Sequence, residues 1–212
     1  MADSHGHGLL DGKHGVIFGA LNPESLAWHV ATAAHREGAS SAYSNAPVAQ
    51  RFGQLDELAE QTGGGPVVYA DALADGASIV SLSYIGAQRV FSEYSEMGDA
   101  KALLESIVRS FGYRLGKKGI RINAVSQSPT RTTAGGGIKG FDAMFDFAEQ
   151  LAPLGNADAE SCADYVVTLL SDLTRMVTMQ TLFHDGGFSS MGISDQTVEL
   201  LADALGYDKE DG

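Results

Sequence analysis

"PVVYADALADGASIVSLSY", residues 66–84, holds two apolar, β-branched runs, "PVVYA" and "ASIVSLSY", joined by about seven residues. Each run has the composition of a buried strand. A parallel pair needs a crossover of about a dozen residues or more, usually through a helix, whereas a hairpin prefers about two to five residues with a turn signature. "DALADG" satisfies neither requirement, so the fold must be read from the rest of the chain first.

On both sides of this joint the chain alternates strand and helix. "HGVIFGA" (14–20) is an apolar run ending near Gly19, and in the following segment Leu26, Val30 and Ala33/Ala34 recur at helical spacing. A strand at "SSAYSN", a helix at "QRFGQLDELAEQTG" and the strand "PVVYA" come next. After the joint follow the strand "SIVSLSY", a helix over 97–115, the strand "IRINAVSQSP", a Gly/Thr-rich loop (129–140), an amphipathic stretch (141–151), a helix (157–170), the strand "VTMQTLFHDGG" and a terminal helix "QTVELLADAL". Near-continuous apolar strands alternating with helices predict an α/β fold, a doubly wound, mostly parallel Rossmann-like sheet covered on both faces. The 212 residues are expected to form one domain, with residues 1–10 as a loose tail and 130–151 as a lid.

Composition narrows the function. A net charge of −13 repels a polyphosphate backbone and makes nucleic acid an improbable partner. The amino terminus lacks the basic and apolar regions of a signal peptide, and no window approaches the run of about 18 apolar residues that a membrane span requires, so a cytoplasmic protein is expected. Cys162, the only cysteine, excludes an intramolecular disulfide and reads as a buried small hydrophobe. His5 and His7 in "SHGHG" belong to a solvated terminus rather than a metal site, and His184 reads as a strand end.

In this fold class ligands bind beyond the carboxyl ends of strands. Gly19 sits there after the first strand, and Ser25 is placed to cap the next helix, whose amino terminus attracts phosphate oxygens. "GALNPES" lacks the G-x-G-x-x-G spacing, and an ordinary turn would explain its glycine equally well. "YSEMGDAK" is sharper: Tyr94 and Lys101 are seven residues apart, about two helical turns, so both are expected on one face. An ammonium beside a phenol favours the phenolate, and such a pair can serve an oxyanion. Tyr84, at the end of the preceding strand, adds a second phenol. Downstream, "SPTRTTAGGGIKGF" offers hydroxyls and backbone N–H groups to an anion.

These segments resemble the short-chain dehydrogenase/reductase superfamily and, within it, the NADH-dependent enoyl-acyl-carrier-protein reductases of bacterial fatty-acid synthesis. "GKHGVIFGALNPESLAW" is similar to that family's first strand and long-spaced cofactor turn, and "SLSYIGAQRVFSEYSEMGDAKALLES" to its segment with two tyrosines and one lysine. "IRINAVSQSPTRTTAGGGIKGF" resembles its nicotinamide-side loop, and the region from "APLGNADAESC" to "HDGGFSSMG" its last helix and strand. The resemblance implies that Tyr94 stabilises the enolate, Tyr84 shapes the acyl pocket and Lys101 holds the nicotinamide ribose. It implies that Gly19, Ser25 and Leu26 line the pyrophosphate side, that Asp71 and Ala72 face the adenine, and that Thr130, Arg131, Thr132, Thr133 and Ala134 contact the nicotinamide and phosphates. Phe141 and Met144 fall in its substrate lid, although core contacts would explain either residue. The implied cofactor is NADH, the partner an acyl carrier protein bearing an enoyl chain, the assembly a homotetramer, and no metal is implied. Arg109, Arg114, Lys117, Lys118 and Arg121 form a basic cluster that could receive an acidic carrier, or could simply complement a helix carboxyl terminus.

By this resemblance the joint is an internal deletion near residues 72–77. Two βα units, on the order of 60–80 residues, are missing. Eight extended residues reach at most about 26–29 Å, and the diagonal from the third to the fifth family strand is already about 26 Å, so the usual path around packed helices is closed. Two other readings remain: a different carbonyl-reducing member of the superfamily, and a shortened, non-catalytic paralogue acting as scaffold or subunit.

Overall fold

A computed structural model describes residues 6–44, 54–63, 75–92, 94–132 and 140–207. The strand expected at "PVVYA" and most of the joint lie outside these residues. The described elements follow the expected alternation: β1 (His14–Phe18), α1 (Leu26–Arg36), β2 (Ser40–Ser44), α2 (Leu55–Thr62), β3 (Ser78–Ser83), α3 (Ser95–Leu115), β4 (Arg121–Gln127), α4 (Phe141–Leu151), α5 (Ala159–Leu170), β5 (Thr181–His184) and α6 (Asp195–Leu205).

The strands are all parallel but fall into two sheets among the described residues, β1-β2 and β3-β4-β5. β1 runs level with β2 from His14↔Ser40 to Phe18↔Ser44. β3 matches β4 from Ser78↔Arg121 to Ser83↔Ser126, and β4 ends opposite β5 at Gln127↔His184. The carboxyl ends of β3, β4 and β5 therefore open at one level, which sets where a ligand can sit.

β4 is the central strand of its sheet and every residue in it is buried, including Arg121, Asn123, Ser126 and Gln127. Burial of polar groups requires partners. Arg121 donates to the carbonyls of Leu169 and Ser171 at 2.8 and 3.0 Å, closing the carboxyl end of α5. Asn123 donates to Val177 O at 2.9 Å and accepts from Gln180 N at 3.2 Å. One face of β4 presents Ile122 and Ala124 to Val108 of α3, while Val125 on the other face meets α1 and α5. Gly112 lets α3 lie directly on the sheet, since a Cβ there would meet Ile122 and Met179.

α1 and α5 pack on each other through Val30, Ala33 and Ala34 against Cys162, Ala163 and Val166, with Ile17 of β1 and Val80 and Leu82 of β3 against the same cluster. This helix pair, more than any strand pairing, joins the two sheets. β1 itself is largely exposed, with Phe18 at 65% and Val16 at 42%. A first strand of a doubly wound sheet is ordinarily covered on both faces and paired on both edges. Among the described residues β1 pairs only with β2 and β3 only with β4, as the loss of a strand between them would leave them.

Residues 6–10, expected in the loose tail, are instead fixed. Glu37 accepts the amides of His7 and Leu9 on its carboxylate, and Leu10 is buried in the α1–α5 cluster. The terminal helix forms as α6, and the amphipathic stretch 141–151 forms as α4. β5 is shorter than its sequence signal, because residues 177–180 bond sideways to Ile122 and Asn123 before the strand begins.

Candidate active site

The site gathers at the carboxyl ends of β3, β4 and β5. Tyr84 follows β3 directly, and a short 3-10 turn (Ile85–Ala87) carries the chain away. The seven-residue spacing treats Tyr94 and Lys101 as a helical pair on one face, although the helix itself is expected only from residue 97. Tyr94 is the residue that precedes α3, with φ −126° and ψ 11°, and Lys101 lies about two turns along. Leaving the helix lets the Tyr94 ring turn onto Tyr84, edge to face with centroids 5.0 Å apart. Phe91, Phe188, Met144 and Met191 close around the two phenols.

Two glycines make room. A Cβ on Gly86 would lie 2.6 Å from Cδ1 of Tyr94, and one on Gly98 would lie 2.7 Å from the Gly86 carbonyl. The glycines of "YIGA" and "EMGD" are thus sites of close approach.

Burial raises the pKa of both phenols, and for Tyr84 the neighbouring Tyr94 and Asp185 add to it. Both stay protonated at neutral pH. This corrects the expectation that Lys101 would draw Tyr94 towards phenolate. The Lys101 ammonium donates to the Leu82 carbonyl at 2.8 Å, and its own pKa is lowered by burial. Tyr84 Oη is buried and has no hydrogen-bond partner among the described residues, an acceptor and donor that a ligand could engage.

Around the mouth, Gly19 has φ +83°, a conformation that favours glycine, immediately after β1. Ser25 caps α1, accepting from Trp28 N at 3.3 Å and Leu21 N at 3.2 Å. The side chain of Leu26 packs into the α1–α5 cluster, leaving only its backbone for a ligand. Thr130 and Thr132 are half-buried after β4. The exposed guanidinium of Arg131 is committed to α4, bonding Asp142 at 2.7 Å and lying 4.4 Å from the centre of the Phe145 ring. On α4, Met144 reaches the tyrosine cluster whereas Phe141 meets Phe145, 6.1 Å between centroids. Asp71, Ala72, Thr133 and Ala134 lie outside the described residues.

Sequence reading missed three residues here. Glu105, one turn after Lys101, is buried and accepts from Ser83 Oγ and Gln88 Nε2 at 2.8 and 3.0 Å, fastening α3 to the end of β3. Gln127 and His184 bond to each other beneath the loop that follows β4. A charged or amide residue at a position that should face the sheet is the signal that could have found them. The basic cluster, conversely, loses Arg121 to the core. Lys117 lies 16 residues beyond Lys101 at the far end of α3, about 24 Å along the helix, so the remaining basic residues stand away from the mouth. Cys162 is fully buried and its pKa is pushed up to about 12, so it is an inert packing residue. Among the described residues no group of His, Cys, Asp or Glu could hold a metal, and no helix is long and apolar enough to cross a membrane.

Residues 67–189 match the family described as Enoyl-(Acyl carrier protein) reductase. The NADH-dependent enoyl-[acyl-carrier-protein] reductase FabI of Aquifex aeolicus is 30% identical across 94% of this chain and 99% of its own length. That alignment spans 268 positions against the 212 residues here, so at least 56 positions of the relative have no counterpart. The FabI–NADH complex from Alistipes finegoldii is 42% identical, with a TM-score of 0.86 over 89% of this chain and 92% of that one. The Escherichia coli FabI is 26% identical over 89% of the chain. The paired phenols, the nearby lysine and this breadth of likeness agree: the chain belongs to the enoyl-acyl-carrier-protein reductase family, with a sheet reduced by internal loss.

Proposed function

We propose that this protein reduces the 2,3 double bond of an enoyl-acyl-carrier-protein thioester with NADH in the cytoplasm, as a single-domain subunit of a homotetramer. The observation that carries the reading is the convergence of Tyr84, Tyr94 and the Lys101 ammonium on the end of β3.

The donor set fits a nicotinamide nucleotide. Lys101 presents a partly buried ammonium suited to ribose hydroxyls, the Tyr84 hydroxyl is buried without a partner, and the positive end of α1 follows β1 where a pyrophosphate would bind. NADH, when bound, supplies the hydride that reaches the β-carbon. Tyr94, held protonated by burial, donates a hydrogen bond to the thioester carbonyl oxygen and stabilises the charge that develops there. Tyr84 stands beside it as a wall of the acyl pocket. Met144, packed against the cluster that holds the two phenols, and Phe141 on the same helix are the lid's apolar contacts. Gly19, Ser25 and Leu26 take the pyrophosphate side, Asp71 and Ala72 the adenine side, and Thr130 to Ala134 the nicotinamide side, with Arg131 tying that loop to the lid.

α3 supports assembly through its outer face, where Leu103, Ile107, Phe111 and Tyr113 are exposed. The carrier is expected to dock near the mouth, not at Lys117 and Lys118.

Turnover distinguishes the possibilities. NADH oxidation should proceed with a 2-enoyl thioester and not with a 3-oxo thioester. Preference for the 3-oxo compound would assign the chain to the carbonyl reductases of the superfamily. The open edges of β1 and β3 favour a second reading, a scaffold subunit, which inactivity with both substrates would support.

A further inference from the structure

Beneath the loop that follows β4 lies a chain of hydrogen bonds spanning three elements. Gln127, the last residue of β4, has its Nε2 3.1 Å from both Thr130 Oγ1 and the Ala157 carbonyl, with the Asp158 carbonyl at 3.5 Å. Two carbonyls on one side of an amide admit only its NH₂ group, so Oε1 must face the other way. There it meets His184 Nδ1 at 2.7 Å. An amide oxygen can only accept, so the histidine carries its proton on Nδ1 and donates. The imidazole plane is fixed by Tyr165 of α5, stacked at 5.2 Å with 19° between rings. Thr130 in turn donates to the Ser128 carbonyl at 3.0 Å, and Ser128 Oγ accepts the Ala157 amide at 2.9 Å.

We infer that His184 and Gln127 are positioning residues for cofactor binding: through Gln127 Nε2 they fix the Thr130 hydroxyl and hold residues 128–132 in the shape that receives the nicotinamide. The inference rests on the proposed reductase reading, in which that loop contacts the cofactor. Burial lowers the His184 pKa, while Asp158 and Asp185, the charged groups facing it, oppose that shift. The donated bond is unaffected by this balance, because Nδ1 carries a proton in either charge state.

The test uses the full chain and three variants. His184→Phe keeps the ring stacked on Tyr165 and deletes the donor. His184→Asn restores an N–H near the Nδ1 position. Gln127→Met removes the amide at similar volume and serves if the phenylalanine variant fails to fold. The readouts are NADH affinity by calorimetry, the split of KM for NADH from kcat, and amide hydrogen exchange of residues 128–132 without cofactor. Loss of one such bond should weaken NADH binding and raise its KM about tenfold in His184→Phe and Gln127→Met, with faster exchange in the loop and kcat within about twofold. His184→Asn should stay within about twofold of the parent on every readout. Unchanged exchange in His184→Phe, faster exchange without loss of NADH affinity, or equal weakening by phenylalanine and asparagine would each overturn the inference. Failure of the parent chain to bind NADH would instead remove the reductase reading, while loop exchange still decides whether His184 fixes the loop.

Discussion

Tyr84 and Tyr94 meet edge to face, their ring centroids 5.0 Å apart and their planes inclined by 72°. The contact joins the end of β3 to the start of α3 and keeps both phenols buried and protonated. Tyr94 stands at the helix start, while Tyr84 packs against Phe91 with Asp185 nearby, and the proposed function gives the two phenols different roles. Tyr94→Phe should therefore lower kcat for enoyl reduction roughly a hundred- to ten-thousandfold, the usual range for a lost acid-type contribution, with NADH affinity retained. Tyr84→Phe should cost far less. Steady-state kinetics of the two variants checks the order, and a larger loss at Tyr84 would reverse the assignment.

Gly86 sits under the Tyr94 ring, where a methyl group would stand 2.6 Å from Cδ1 and 3.1 Å from Cδ1 of Tyr84. Gly86→Ala should displace the phenols at a cost of about 1–3 kcal/mol. Thermal denaturation should show the loss together with reduced turnover. Full activity in a stable Gly86→Ala variant would mean that the phenols need not sit as they do.

Alkaline stability follows from the same burial. A phenol whose folded pKa is raised contributes stability that is intact below the unfolded value, near 10, and is lost as pH climbs through the folded value. Tm should be flat up to about pH 9 and fall above about pH 10, and Tyr84→Phe should fall less steeply. Scanning calorimetry across that range tests the sign. A Tyr84→Phe variant as alkali-sensitive as the parent would assign the loss elsewhere.

Arg121 closes the carboxyl end of α5 from inside the core, and its removal takes the charged donor from the Leu169 and Ser171 carbonyls, which keep bonds from the hydroxyls of Ser78 and Thr174. Arg121→Met should destabilise the fold by about 2–4 kcal/mol. NADH affinity at low temperature should be unchanged, because the residue lies at the opposite end of β4 from the mouth. Denaturant titration paired with calorimetry distinguishes the two effects.

Arg121 also shows what the sequence could not convey. Its carbonyl partners are 48 and 50 residues away, so it looked like one more member of a basic cluster. The alternation of strands and helices, the amphipathic stretch 141–151 and the grouping of Tyr84, Tyr94 and Lys101 near the end of one strand were legible, because periodicity and spacing are local. The packing of the Tyr94 ring on Tyr84 was not, since spacing along one helix says nothing of an aromatic contact with the end of the preceding strand. The Gln127–His184 bond was hidden for the same reason as Arg121, with 57 residues between its ends. The joint was partly legible: its shortness raised the question, the family resemblance read it as an internal deletion, and Val16 and Phe18 on β1 are exposed, as loss of a neighbouring strand would leave them.

Whether the mouth still works beside that opening is decided most directly by titrating the intact chain with NADH in a calorimeter, alongside Lys101→Ala. Saturable binding of one NADH per chain, weakened about tenfold or more by the alanine variant, is the predicted result. No binding, or binding indifferent to Lys101, would contradict it.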